Sequence, residues 1–325
     1  MNIIVLTGGE SPEREVALRS GYAAANAFIE NGHRVALIDT VRPLPNGAVY
    51  FDSFEKLTSA FESILSFEQR CPIHPDVISA CEGADKVFLA LHGGIGENGR
   101  LQAMLDCFGI SYCGSGAEGC ALAMDKLKTK LVYNESGILT PAFTYYKKGS
   151  ERKPVPPCYP CVIKPTDTGS SIGISFVFSP VGLKEAVEKA LMLCDTVLLE
   201  ERIVGREFSV SVLENRALAV TEIIPSSSFY DYDSKYKKGL AREITPAKLP
   251  KDIYNKALRI AEKAHVSLGL TNFSRTDLIL KNNTEMFYAL ETNALPGLTK
   301  TSILPQAALS GGITFNQMCE KMLSC

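Results

Sequence analysis

The 325-residue chain has no tryptophan and only four histidines, at 33, 74, 92 and 265. No histidine cluster is present to complete a zinc site. No apolar run approaches the ~20 residues that a membrane span needs. The start, MNIIVLTGGE, lacks the basic segment of a secretory signal. A cytoplasmic protein without a membrane partner is therefore expected. Charge of one sign is lacking too: 34 Lys and Arg against 36 Asp and Glu give a net charge of −2, so no whole-molecule field draws in nucleic acid. The P-loop pattern G-x-x-x-x-G-K-[ST] occurs nowhere, so any nucleoside triphosphate must be held by another device. Cysteine is plentiful, at ten residues, but the spacings suggest no disulfide framework. The one close pair, Cys158-Tyr-Pro-Cys161, precedes an apolar strand, has no second pair, and is taken as incidental.

What is present is ordered. Residues 2–7 form a buried strand ending at Gly8-Gly9, and 13–31 a helix with Val16, Ala17, Ser20, Ala24, Ala27 and Phe28 on one face. Strand 35–38, a helix within 53–68, strand 86–91 and helix 99–108 extend this β-α-β start into a small parallel α/β domain. One helix over 117–135 follows, then a polar, Pro-rich stretch. Strand 161–164, a Gly/Ser turn and strand 175–178 predict an antiparallel hairpin. Helix 180–193 and strand 197–200 come next, and strands dominate 206–225. Residues 226–243 have no periodicity and are expected to be a long lid loop. Helix 252–268, strands 274–280 and 286–291 and a final helix complete the chain.

Three motifs carry candidate chemistry. Gly94-Ile-Gly96-Glu-Asn-Gly99 matches a dinucleotide fingerprint, but Glu97 would face a pyrophosphate and only a very short strand, SYC, follows the next helix. A tight turn lining a cleft is the competing reading. Gly169-Ser170-Ser171-Ile-Gly173 matches a hydrolase elbow, yet a strand, not a helix, comes after it. A Gly/Ser hairpin turn instead offers N–H and hydroxyl donors to phosphate oxygens, with Lys164 as a nearby cation. Finally, Arg275 and Asp277 on one predicted strand, and Glu291 and Asn293 on its neighbour, are each two residues apart and so point to one face. Asp277, Glu291 and Asn293 are oxygen ligands of the kind Mg²⁺ takes.

In order and spacing the chain resembles the ATP-grasp superfamily and, within it, the D-alanine–D-alanine ligases. The resemblance runs through GGESPEREVALRSG (8–21), LHGGIGENGRLQ (91–102), GSGAEGCALAMDK (114–126), VIKPTDTGSSIGIS (162–175), EERIVGREFSV (200–210), FYDYDSKY (229–236), RTDLIL (275–280) and ETNALPGLTKTSILP (291–305). It implies an N-terminal parallel α/β domain over 1–114 and a two-lobed α+β ATP-grasp fold, with a central lobe at 115–200 and a C-terminal lobe at 201–325 carrying the lid. ATP would lie between the lobes, its phosphates on Lys126, Lys164, Ser170 and Ser171. Glu200 and the backbone near Ile203 would meet the adenine and Glu207 the ribose, with Glu201, Phe229 and Leu290 completing the contacts. Lys235 would reach the phosphates on lid closure. Two Mg²⁺, replaceable by Mn²⁺, would bind Asp277, Glu291 and Asn293. Glu13, Ser170 and Tyr236 would position the first D-alanine, and Ser302 the carboxylate of the second, with His92 close by. Arg275 and the Gly297 N–H would stabilise developing negative charge. A homodimer is the implied assembly.

The residue types suit that chemistry independently. A carboxylate is a poor acyl donor until it is phosphorylated, after which a free amine can attack it. Both steps pass through charge-dense states that fixed cations and N–H donors stabilise. A lid would keep water from the acyl phosphate. D-alanine is expected in both positions, since Tyr236 lies in a FYDYDSKY context and Ile303 offers a serine hydroxyl no partner. D-serine or D-lactate as second substrate, another acid–amine pair, a nicotinamide oxidoreductase and a non-catalytic nucleotide sensor are the alternatives.

Overall fold

A computed structural model describes residues 1–44, 47–65, 72–225 and 241–324. The chain opens with β1 (Asn2–Thr7), α1 (Arg14–Glu30), β2 (Arg34–Asp39), α2 (Phe54–Leu65), α3 (Pro75–Cys81), β3 (Lys86–Leu89), α4 (Gly94–Glu97) and α5 (Arg100–Cys107). The sheet order is β2-β1-β3, all parallel. Ile3, Ile4, Val5 and Leu6 are wholly buried, as a strand covered on both faces requires. The SYC segment adds a single parallel bridge, Val87 to Tyr112. Helix α3 escaped the sequence reading because it is seven residues long, too short for a periodic signal.

The predicted helix over 117–135 is two helices, α6 (Ala117–Met124) and α7 (Lys126–Glu135). Asp125 breaks it by leaving helical geometry and accepting from the N–H groups of Leu127 and Lys128. Next come β4 (Phe143–Lys147), β5 (Cys161–Pro165), β6 (Ser175–Val177), α8 (Leu183–Leu191) and β7 (Thr196–Glu201), with sheet order β4-β7-β5-β6, antiparallel throughout. The β5–β6 hairpin is as expected. Strand β4 was not expected: it is an edge strand with neither face buried, so it lacks alternation.

The third sheet is β10-β9-β8-β11-β12, also antiparallel, built from β8 (Gly205–Leu213), β9 (Arg216–Pro225), β10 (Ala241–Ile244), β11 (Ser274–Lys281) and β12 (Phe287–Asn293). Helices α9 (Lys251–Ser267), α10 (Ile303–Ser310) and α11 (Phe315–Leu323) complete the chain, so the expected single final helix is two, parted by Gly311-Gly312. Of the expected loop 226–243, the last residues belong to β10, while 226–240 lie outside the described residues.

Three cores result. The first surrounds the parallel sheet and also takes in Phe273, Leu304, Met318, Cys319 and Met322 from the far end of the chain. The second joins α6, α7 and α9 to the five-stranded sheet through Cys120, Tyr133, Ala257, Phe208 and Leu278. The third, smallest, lies under the four-stranded sheet. Cys161 is buried in it while Cys158 is exposed, so the two halves of the C-x-x-C diverge. No helix among the described residues is long and apolar enough to cross a membrane.

Candidate active site

A cleft of about 640 Å³ opens where the three units meet, with a small pocket of about 30 Å³ at its edge. One wall is the β11–β12 pair. Arg275 lies opposite Asn293 and Asp277 opposite Glu291, so cross-strand register puts all four on one face. The residues between, Thr276 and Thr292, point the other way, bonded to each other at 2.8 Å, and Thr292 also bonds the Tyr133 hydroxyl at 2.6 Å. A bulge after Asp277 leaves Leu290 as the extra residue beside Glu291. The Arg275 guanidinium grips Asp277 at 3.0 and 2.9 Å, and the Ser209 hydroxyl donates to the same carboxylate at 2.6 Å.

The facing wall carries the lysines. Because the helix breaks at Asp125, Lys126 opens α7 at the cleft, its backbone N–H on Thr166 O at 2.8 Å and its ammonium on Thr168 O at 2.7 Å. That ammonium lies 3.4 Å from Glu291, bridging the two walls. Lys126 and Lys164 both line the small pocket, with Ser170 and Ser171. The two serines adopt left-handed backbone, φ 53° and 60°, which non-glycine residues seldom take outside functional loops. Lys164 pairs with Glu200 at 2.7 Å, and Glu200 pairs on its other side with Lys130 at 2.5 Å, all three buried. Ile203 lies in the short link from β7 to β8, between the two antiparallel sheets. Beside it, Glu201 is 3.9 Å from Lys281. Glu207 stands half-buried on β8, paired in register with Ile279.

The third wall comes from the parallel domain. Glu13 precedes α1 and accepts a hydrogen bond from the Ser170 hydroxyl, joining this domain to the Gly/Ser loop. Gly93 and Gly169 make room for it, since a Cβ at either would come within 2.8 and 2.7 Å of the Glu13 carboxylate. His92 is held by Ser20 at 2.9 Å and by the Leu295 carbonyl at 3.1 Å, and burial lowers its pKa. Glu97 turns inward and accepts from the Gly93 N–H at 2.7 Å. Burial first, and Glu13 second, push its carboxyl up to about 7. The dinucleotide pattern thus has a structural origin: a Cβ on Gly96 would overlap Leu91 and one on Gly99 would overlap the Ala117 carbonyl. The G-x-S-x-G serine has no histidine partner. His265 is instead buried between Ser274 and Asn215.

At the far end Ser302 stands at the N-cap position of α10, but its hydroxyl turns back to accept from the Thr299 N–H at 3.1 Å. Gly297 backs onto it, and a Cβ there would lie 2.8 Å from the Ser302 hydroxyl. Glu13, His92, Arg275, Asp277, Glu291, Asn293, Gly297 and Ser302 therefore share one cleft, with Lys126 and Ser170. Phe229, Lys235 and Tyr236 lie outside the described residues. Sequence reasoning missed Lys130, and did not place Glu243 and Gln306, which are hydrogen-bonded to each other with Glu243 facing the cleft. Nothing local in the sequence marks Lys130. Glu243 is the last residue of the aperiodic stretch 226–243, where alternation has barely begun.

Among the described residues no group of three or more His, Cys, Asp or Glu forms a metal cluster. The available donors are two carboxylates and the Asn293 amide, a hard-oxygen set suited to Mg²⁺ sharing its shell with phosphate. The Asn293 amide nitrogen is buried without a partner among the described residues, and turning the amide over would put an oxygen there for a cation.

Two antiparallel α+β lobes closing on a cleft with lysines on one wall and a carboxylate block on the other, fronted by a parallel α/β domain, define an ATP-grasp enzyme. Family models for the D-ala D-ala ligase N-terminus and C-terminus match residues 2–115 and 148–324. The chain belongs to the D-alanine–D-alanine ligase family. It is 37% identical to the D-alanine–D-alanine ligase of Citrifermentans bemidjiense over 99% of this chain and 94% of the relative. It is 36% identical to that of Pediococcus pentosaceus, over 99% and 97%. Among solved structures, the VanG D-Ala:D-Ser ligase of Enterococcus faecalis aligns with a TM-score of 0.80 at 27% identity, covering 99% of this chain and 98% of that one.

Proposed function

We propose that the protein joins two D-alanines at the expense of ATP, through a D-alanyl phosphate, and so supplies peptidoglycan synthesis from the cytoplasm. The observation that carries this is the facing of the Lys126–Lys164–Ser170–Ser171 pocket and the Arg275–Asp277–Glu291–Asn293 block across one cleft. The lysines and the Gly/Ser loop hold the phosphates. Glu200, Glu201, Ile203, Glu207 and Leu290 flank the adenosine, and Phe229 and Lys235 complete that side. Mg²⁺ ions on Asp277, Glu291 and Asn293, or Mn²⁺ in their place, would offset the phosphate charge.

Buried Glu13 and Glu97 create negative potential that the ammonium of the first D-alanine offsets. Ser170 and Tyr236 orient it. Arg275 and the Gly297 N–H stabilise the oxyanion as the second amine attacks. The second carboxylate sits at Ser302, on the N-terminal end of α10, where helix N–H groups favour an anion. No side chain serves as nucleophile. We infer a homodimer as the working form.

Incubation with ATP, Mg²⁺ and D-alanine should release phosphate and dipeptide in equal amounts, with L-alanine inert. No phosphate from D-alanine would sink the assignment. A second reading, D-serine as the second substrate, is favoured by Glu243 and Gln306. Glu243, held by Gln306, supplies in the cleft the polar partner that Ile303 lacks. A D-serine preference in the same assay would select it.

A further inference from the structure

Lys130 is among the largest wholly buried side chains of the protein, and neither a motif nor the resemblance singles it out. It lies one turn beyond Lys126 on the same face of α7, and unlike Lys126 it does not itself line the cleft's small pocket. Its ammonium meets Glu200 at 2.5 Å, donates to the Thr140 hydroxyl at 2.5 Å and lies 5.4 Å from the Phe143 ring. Glu200 in turn meets Lys164 at 2.7 Å. Thr140 donates to the Ala289 carbonyl at 2.7 Å, and Leu139 O accepts from the Ala289 N–H at 2.8 Å. Ala289 directly precedes the bulge at Leu290 and the carboxylate of Glu291. One ammonium thus ties together β7, β5 and β12, three elements that border the nucleotide cleft.

Burying an ammonium carries a desolvation cost of several kcal/mol, and an apolar side chain of similar volume is often tolerated or stabilising in its place. A purely architectural Lys130 would therefore be dispensable. Two lysines around one carboxylate leave this cluster one positive charge in excess. Without Lys130, Glu200 would neutralise Lys164 alone, and Lys164 would present little net charge to a phosphate. Burial and the nearness of Lys164 lower the pKa of Lys130 well below the usual lysine range, with Glu291 opposing.

We propose that Lys130 is a positioning residue for the nucleotide phosphates, sharing Glu200 with Lys164 so that the cluster keeps net positive charge and Lys164 stays aimed into the pocket. The inference rests on the ATP reading of the cleft. Binding of ADP by the wild-type protein tests that reading separately.

Calorimetry with ADP and with adenosine, on wild type, Lys130→Met and Lys130→Arg, decides it. Loss of a charge-assisted contact predicts that Lys130→Met weakens ADP about tenfold or more while adenosine changes little. The KM for ATP should rise in step while the KM for D-alanine holds, and Lys130→Arg should restore part of the loss. Equal losses for ADP and adenosine, or a D-alanine KM that moves with that of ATP, would overturn the proposal. If Lys130→Met does not fold, Thr140→Val reads the same network: its ADP affinity should fall while adenosine holds, and an unchanged ADP affinity would overturn it.

Discussion

Glu97 is a carboxyl group with two reasons to stay protonated, burial and the neighbouring Glu13. Its folded pKa of about 7 lies above the ordinary carboxylate value, so between the two the folded state holds a proton that the unfolded chain has lost. Its contribution is complete below the ordinary value and is lost as pH rises through about 7. In urea titrations, Glu97→Gln should gain on wild type by on the order of 3 kcal/mol between pH 4.5 and 8. Parallel pH profiles for the two proteins would refute this. His265 has the opposite sign. Burial lowers it to about 4, so its contribution is present above about 6.5 and is lost as pH falls toward 4. Asn215 Oδ1 can only accept, so His265 Nε2 carries the proton and Nδ1 takes the Ser274 hydroxyl. His265→Phe, which cannot be protonated, should flatten the stability loss below pH 6.5 expected of the wild type.

Elements fix where those residues stand, and the sequence disclosed them unevenly. The β1–α1–β2 start and the β5–β6 hairpin were legible because each buries a periodic face. The Arg275–Asn293 block was legible because a period of two on adjacent strands survives even at a site. The break at Asp125 was not: apolar periodicity runs on through α6 and α7, and the cap acts through two short side-chain bonds. Yet that break turns Lys126 into the cleft. Asp125→Ala should therefore cost about 1 kcal/mol of stability and raise the KM for ATP more than that for D-alanine. Equal effects on both would show that the cap does not direct Lys126. The α4–α5 turn gives a second test. Gly99 has φ 85° and its α-carbon lies against the Ala117 carbonyl. Gly99→Ala should destabilise by about 2–4 kcal/mol, since strain and overlap add, and thermal denaturation would show it.

At the scale of the whole molecule, what the sequence could not show is which parts share a core. Neighbours in the chain are not always neighbours in space: the last helix, α11, packs on the first sheet's core rather than on the sheet that precedes it. Met318, Cys319 and Met322 are wholly buried there, and Asn31, Glu30 and His33 bond the same helix from α1 and its exit. His92 and Ser20 likewise fasten the parallel domain to the Leu295–Leu298 turn. The small third core lies under its own sheet, and among the described residues the Ser170 hydroxyl, donating to Glu13, joins its Gly/Ser loop to the parallel domain. Its ties through Lys126 to Thr166 and Thr168 and through Lys130 to Glu200 run to α7 and not to the parallel domain, so we expect the four-stranded lobe to be the part that moves against that domain when ligands enter. Removing residues 315–325 strips four buried side chains, Met318, Cys319, Met322 and Leu323, from the parallel domain, the two Met and the Leu each worth about 1.5–3 kcal/mol. Hydrogen exchange on that truncated chain should show β1–β3 losing protection while the amides of β4–β7 keep theirs. Loss spread evenly over all three sheets would mean that the four-stranded lobe shares the stability of the others, and with it the reading of that lobe as the moving part would fall.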